Sequence, residues 1–216
     1  MADQSSGYPP DGAESPSPLR CFLGFELAPE SRAWLEGRVE ALRAGLEEVW
    51  GWSPRVIRPD NWHATLLFFH GLDEWERGRV WEQVRGWAAQ GTWAGLKFNW
   101  KGWALWPSPR RANLLCLEAA AHQGAGGWPI QQALGEEPFR KGITRHLGTY
   151  VPHITLMRFH RRGHRVTTGM WEDARNKLPL LEPVELEMLR FDRVSFFLST
   201  LSAHVPVYPR EYTAAL

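Results

Sequence analysis

Cysteine is scarce. Cys21 and Cys116 are the only two in 216 residues, and each lies inside an apolar run, which excludes a disulfide framework and a cysteine-rich zinc site. Long apolar runs are missing too. No stretch of about 18 apolar residues occurs, and the opening Met-Ala-Asp-Gln-Ser-Ser-Gly lacks the basic and apolar regions of a signal peptide. The expectation is a soluble, unexported protein, with the cytoplasm as the default compartment and no membrane partner. Nor does charge of one sign dominate. Lys+Arg 25 against Asp+Glu 24 gives a net charge of +1, so no global positive field holds nucleic acid through counterion release, and any nucleic-acid contact has to be local.

What is present is a length and a 44% hydrophobic content sufficient for one full core, or for two small lobes sharing one. Tryptophan is abundant at 13, too many for all to be buried, so several are expected near the surface or along a groove. Residues 1–19 carry Pro9, Pro10, Pro16 and Pro18 among Ser, Gly and Asp with no periodic apolar pattern, the composition of a disordered tail. Residues 20–216 read as a single bilobal domain.

From Arg20 the pattern gives a strand over Cys21 to Leu27. A helix follows over Ser31 to Glu48, with Trp34, Leu35, Val39, Leu42 and Leu46 at helical spacing. Val56-Ile57 and Trp62 to Phe69 read as strands, and Asp73 to Ala89 as a helix capped by Asp73. Leu96 to Trp106 alternates like a half-buried strand that bends at Gly102, and Pro107 to Arg111 is a turn. Leu114 to Leu117 is a strand, Trp128 to Arg140 a helix, and Val151 to Phe159 a strand. Val184 to Leu189, Arg193 to Ser199 and His204 to Tyr208 close the chain as strands, the last two joined by a short turn. The sum is a mixed α+β pattern in which each half runs strand, helix, strands, so two related lobes are expected.

The informative feature is an internal repeat. His63-Ala64-Thr65-Leu66-Leu67-Phe68-Phe69-His70 and His153-Ile154-Thr155-Leu156-Met157-Arg158-Phe159-His160 agree at five of eight positions and lie 90 residues apart. In a strand alternate side chains share a face, so each His projects together with the Thr two residues later. His70 and His160 stand an odd number of residues from the motif histidines, and strict alternation turns them to the other face. Two lobes related by an approximate two-fold would bring two imidazoles and two hydroxyls to one cleft. An imidazole titrates near ~6.5, so of two such groups one can serve as base while the other serves as acid. Hydrolysis of a phosphodiester uses both, on opposite sides of phosphorus, while hydroxyls donate to the non-bridging oxygens. The scheme uses no metal and no cofactor, and by chemistry alone it does not say which histidine plays which part.

These residues resemble the 2H phosphoesterase superfamily, defined by two His-x-Thr/Ser-x motifs, and within it the RNA 2′,3′-cyclic phosphodiesterases, also called 2′-5′ RNA ligases. The likeness runs through the opening strand Arg20 to Pro29, the motifs at Asp60 to Leu66 and Pro152 to Arg158, the Pro107-Ser108-Pro109-Arg110-Arg111 segment and the closing Phe196-Phe197-Leu198-Ser199. The resemblance implies an α+β fold of two pseudo-symmetric, mainly antiparallel lobes with outer helices around a central cleft. It implies His63 as proton donor, His153 as proton acceptor, and Thr65, Thr155, Arg158 and Phe22 as substrate contacts. The motif tetrads are His63, Ala64, Thr65, Leu66 and His153, Ile154, Thr155, Leu156. Members often carry a basic residue where this chain has Leu67, so one phosphate contact is expected to be missing. Arg158 can reach the cleft only if a bulge or strand end breaks the alternation.

The implied reaction opens a 2′,3′-cyclic phosphate at an RNA end to leave a 2′-phosphate, with reversible 2′-5′ ligation as a side activity. The alternatives are a nucleotide-binding module with little catalysis and a phosphodiesterase of small cyclic nucleotides. The expected partners are RNA ends or small nucleotides carrying that cyclic phosphate, met by a monomer. Arg158, Arg161, Arg162 and Arg165, with His160 and His164 among them, would line the approach, and Trp103 and Trp106 could stack a base.

Overall fold

A computed structural model of the chain describes residues 19–120, 151–159, 166–182, 186, 189–202 and 205–216. Ten strands are described: β1 (Leu19–Leu27), β2 (Arg55–Val56), β3 (His63–Leu72), β4 (Trp100–Trp106), β5 (Leu114–Ala119), β6 (His153–Arg158), β7 (Phe191–Leu198), β8 (Thr200–Ser202), β9 (Val205–Val207) and β10 (Arg210–Ala215). Among the described residues three α-helices join them: α1 (Pro29–Trp50), α2 (Glu74–Ala89) and α3 (Thr168–Lys177). Seven strands run in the order β10-β7-β1-β3-β6-β5-β4, with β2 also pairing β6 to complete an eight-stranded sheet whose pairings are all antiparallel.

The two expected lobes are the two ends of this one sheet. One contains β10-β7-β1-β3 and the other β6-β5-β4, and the motif strands β3 and β6 meet at the seam through a single pair, Ala64 opposite Ile154. Beyond it β6 takes β2 as neighbour, through Arg55 opposite Arg158 and Val56 opposite Met157. The motif strands therefore diverge instead of zipping up, and the divergence leaves room between the lobes.

The sheet has a core face and a cleft face, and β1 shows how sequence makes both. Cys21, Leu23, Phe25 and Leu27 are fully buried, while Arg20 and Phe22, alternating with them, line the cleft. Helix α1 supplies Leu35, Val39, Leu42 and Leu46, a stripe at helical spacing that joins Leu23, Phe25 and Leu27 in the main core. It starts with Pro29 in its first turn and stops at Gly51, whose φ of 71° is the left-handed conformation glycine adopts without strain. Helix α2 begins with the expected Asp73 cap. The Asp73 carboxylate accepts from Glu76 N at 2.8 Å, and Glu76 in turn accepts from Asp73 N at 3.1 Å. Arg77 of α2 ties it to β10 through two bonds to Glu211, at 2.8 and 2.9 Å.

Several expectations need correction. Leu19, assigned to the tail, begins β1. Leu96 to Asn99 form no ladder, although Leu96 and Phe98 are buried, so burial without strand pairing produced the alternation. Leu189 lies in no strand, and Leu186 falls in a 3-10 turn. β9 pairs with β8 in a separate hairpin, and the partner of β7 is β10, a strand at Arg210–Ala215 that the pattern did not suggest. Helix α3 was likewise unforeseen, since its ten residues bury only Trp171 and Ala174. The expected helix at 128–140, most of the tail, and residues His160, Arg161, Arg162, His164, Arg165, Val184 and His204 lie outside the described residues.

Candidate active site

His63 opens β3 and His153 opens β6, and each ring is oriented in the same way. Nδ1 of His63 lies 2.7 Å from the carbonyl of Asn61, and Nδ1 of His153 lies 3.0 Å from that of Val151, in each case two residues upstream. A carbonyl only accepts, so Nδ1 carries the proton on both rings and Nε2 is left for chemistry. Ala64 and Ile154, between His and Thr in each motif, are fully buried, which fixes His63 with Thr65 and His153 with Thr155 on the opposite face. Since Ala64 pairs with Ile154, antiparallel counting sets His63 across from Thr155 and Thr65 across from His153. The two imidazoles are close enough that charge on His153 lowers the pKa of His63.

Both strands carry a bulge at the same point of the motif. Leu23 pairs with Leu67 but Gly24 with Thr65, leaving Leu66 as the extra residue; Leu115 pairs with Met157 but Cys116 with Thr155, leaving Leu156. Each bulge moves the next even-numbered residue to the cleft face. Arg158 lines the cleft for this reason, and Phe68 does so in the other lobe. His70 follows Phe68 on the same face, its ring centroid 5.2 Å from that of Phe68, so the expectation that it turns away fails for the same reason. It is nevertheless exposed near the outer end of β3. Leu67 is buried and offers the cleft no contact.

Aromatic rings brace both histidines. Phe22 stacks on His63 at 4.6 Å, Phe197 lies at 5.3 Å and Tyr208 meets it edge-on at 5.6 Å. Gly24 makes this possible, because a Cβ there would stand 3.3 Å from Cδ2 of His63. On the other side Trp106 stacks on His153 at 4.1 Å with an interplanar angle of 21°. Trp106 thus covers one face of the His153 ring, and neither of the two is among the residues that line the cleft. Trp103 is a packing residue whose Nε1 donates to the Leu180 carbonyl at 3.0 Å. Cys116 Sγ donates to Thr155 Oγ1 at 3.7 Å, which leaves the threonine's own proton for another acceptor.

Burial pushes the His63 imidazole down to about 4, against the upward pull of the Asn61 carbonyl. Burial also lowers His153, offset in part by Val151 and by the Glu118 carboxylate. Both rings are therefore neutral at pH 7 in the free protein. Both cysteines are unpaired and buried, which pushes each thiol up to about 12.

The cleft has a volume of about 1090 Å³ and gathers His63, Thr65, Thr155, Phe22 and Arg158. His153 stands beside Thr155 on the same strand face, under Trp106. Among the described residues five arginines line the cleft, Arg20, Arg55, Arg58, Arg158 and Arg210, against the one lining carboxylate of Asp60. Arg210 is held by buried Glu26, with Nε 2.9 Å from both carboxylate oxygens. Burial alone would raise the Glu26 carboxyl, and the Arg210 guanidinium and Ser195 hydroxyl outweigh it, holding it below its usual range. Arg20, Arg55 and Arg158 have no carboxylate partner among the described residues, and Nε of Arg158 is buried without a hydrogen bond. Sequence reasoning missed Arg20, Arg55, Arg58, Arg210 and Tyr208, which come from three separate segments. A +1 net charge conceals this local excess. Among the described residues no three His, Cys, Asp or Glu side chains are grouped as a metal site needs, and no helix is long and apolar enough to cross a membrane.

A cleft between two antiparallel lobes, each presenting a His-x-Thr strand at the seam, is the arrangement that the resemblance to 2H phosphoesterases implies. No family model matches the chain. It is 25% identical over 190 residues to the RNA 2′,3′-cyclic phosphodiesterase of Methanothermobacter thermautotrophicus, covering 88% of this chain and 95% of that protein. E. coli LigT in complex with NADP+ superposes with a TM-score of 0.56 at 18% identity, over 93% of this chain and 99% of that one. TT0787 of Thermus thermophilus gives 0.53 at 21%, over 92% and 98%. The structural likenesses establish the α+β fold. With its paired motifs, the chain is similar to the archaeal RNA 2′,3′-cyclic phosphodiesterase and has the fold of the 2H phosphoesterases.

Proposed function

We propose that the chain hydrolyses 2′,3′-cyclic phosphates at RNA ends to 2′-phosphomonoesters, by acid-base catalysis between His63 and His153 and without a metal or cofactor. Nε2 of His153 takes a proton from water as its oxygen bonds to phosphorus. The bond from phosphorus to O3′ breaks, and Nε2 of His63 protonates the departing O3′. Thr65 and Thr155 donate to the non-bridging oxygens, and Arg158 offsets their charge. Phe22 braces His63 and presents an apolar wall to the substrate.

The observation that carries this reading is the matched pair of rings. Each is held at Nδ1 by the carbonyl two residues upstream, each has Nε2 available, and each stands beside a threonine at the seam. The depressed pKa of His63 suits a donor that gives up its proton readily, once a bound phosphate anion has favoured the charged ring. Three cleft arginines without carboxylate partners favour an anionic polymer end over a neutral ligand. Ligation is the same step reversed, with a ribose 5′-hydroxyl in place of water, and mass action in water favours hydrolysis.

The test is incubation with a short RNA ending in a 2′,3′-cyclic phosphate, followed by phosphorus NMR of the product. A 2′-phosphate is expected, with activity insensitive to chelator. A 3′-phosphate product, or no turnover, overturns the proposal.

A further inference from the structure

The pseudo-two-fold pairs residues outside the motifs as well. Glu26 of β1 is the cross-strand partner of His63, and Glu118 of β5 is the cross-strand partner of His153. Phe197 pairs with Phe22, Trp106 pairs with Leu114, and Phe197 and Trp106 each lie against the histidine of their own lobe. Each imidazole therefore has a carboxylate across the ladder and an aromatic ring on its face.

The two carboxylates are satisfied differently. Glu26 is matched by the Arg210 guanidinium, so His63 faces a neutralised pair. Glu118 accepts from Nε1 of Trp106 at 2.7 Å, and that indole is its hydrogen-bond partner among the described residues. An indole N–H carries no charge, so Glu118 remains a net anion beside His153. The same bond orients the indole that stacks on the imidazole. One side chain thus fixes the ring plane and supplies the charge.

We propose that Glu118, anchored by Trp106, is a positioning residue for His153, stabilising the imidazolium that forms when His153 takes a proton, whereas the corresponding carboxylate beside His63, Glu26, is offset by Arg210. This inference rests on the proposed two-histidine hydrolysis and names what makes its symmetric pair unequal. A carboxylate beside an imidazole generally plays this part without itself taking up the proton. Among the described residues, the titratable groups placed against His153 are Glu118 on β5 and His63 on β3, and Glu118 is the anion of the two. Its effect is to raise the affinity of His153 for a proton against burial.

The experiment compares wild type with Glu118→Gln, which keeps an acceptor for the indole and removes the charge, and Trp106→Phe, which keeps a ring and removes the donor. Histidine ring NMR against pH reads His153 directly, without turnover. Glu118→Gln is expected to lower the His153 midpoint by about half a unit or more and leave the carbonyl-bound tautomer unchanged. With cyclic-phosphate RNA it should lower kcat about 10-fold, leave KM within about 2-fold, and move the acid limb of the pH profile down. Trp106→Phe should lower the His153 midpoint by less, because the carboxylate stays but is unanchored. An unchanged midpoint in a folded Glu118→Gln protein overturns the proposal, and if that variant does not fold, an unchanged midpoint in Trp106→Phe does so. A shifted midpoint in a protein that leaves cyclic-phosphate RNA untouched supports the placement of Glu118 and defeats the proposed reaction instead.

Discussion

Phe68 and Arg158 occupy equivalent places in the two lobes: each follows its motif histidine by five residues, each comes just after a one-residue bulge, and each lines the cleft. One is apolar and carries the Arg20 guanidinium over its ring at 5.3 Å; the other is a cation with no carboxylate partner among the described residues. A near-symmetric frame therefore offers the substrate an aromatic wall on the His63 side and a cationic wall on the His153 side. A nucleotide has the same two characters, a flat base and a charged phosphate, which gives the cleft a direction.

Removing either imidazole should lower the rate of cyclic-phosphate opening by at least ~10², the usual range for acid-base groups, with the fold retained. Single-turnover kinetics on His63→Ala and His153→Ala check this, with circular dichroism as the control. Unchanged turnover in either variant would remove that residue from the mechanism.

Ring NMR of the free protein should give a His63 midpoint near 4 and a His153 midpoint below 6.5. Adding inorganic phosphate should raise both, because an anion favours the imidazolium. The same shift sets a stability trend. Between pH 6.5 and about 4 the unfolded chain binds a proton at His63 that the folded chain does not, so stability falls as pH drops through that window and is unaffected above it. Urea unfolding at pH 7 and pH 4.5 should show a smaller loss for His63→Gln than for wild type.

Gly24→Ala tests how tightly His63 is held. The new methyl carbon would lie 3.3 Å from Cδ2 of His63 and 3.4 Å from the Phe197 ring, so the imidazole must move by a few tenths of an ångström. Turnover is expected to fall about 10-fold, since catalytic geometry is sensitive at this scale, with little change in melting temperature. Wild-type kcat in this variant would show that the ring has slack.

Arg55 faces Arg158 across β2 and β6, two like charges directly opposite each other, a pairing that an anion between or beside them relieves. Arg55→Ala should raise KM for cyclic-phosphate RNA about 5-fold and flatten its dependence on salt by about one phosphate contact, leaving kcat near wild type. A variant with the wild-type KM and salt slope would exclude Arg55 from substrate binding.

The Arg77 to Glu211 pair governs stability, not activity. The Arg77 side chain is 8% exposed and holds both Glu211 oxygens and the Leu72 carbonyl at 3.1 Å. Arg77→Met leaves a largely buried carboxylate unpaired and should cost about 3 kcal/mol, the lower end for a broken buried pair because Glu211 is 20% exposed. Arg77→Met with Glu211→Leu should recover most of the loss in denaturant titrations.

The sequence by itself determined the paired motifs on which the proposed chemistry rests. A repeated His-x-Thr on alternating strands fixes which residues share a face, and the stripe on α1 and the cap at Asp73 fix where helices pack, because these are local periodicities and local hydrogen bonds. Tertiary structure decided the rest. That Arg158 reaches the cleft depends on Leu156 being an extra residue against β5, a matter of register between strands far apart in the chain. The arginine-lined wall draws on Arg20, Arg55 and Arg210, whose proximity exists only once β1, β2 and β10 take their places. Trp106 looks like any core tryptophan until the pairing of β4 with β5, and of β5 with β6, lays it on His153. Periodicity acts between neighbours in sequence, whereas register and the meeting of distant side chains are set by the packing of the whole sheet.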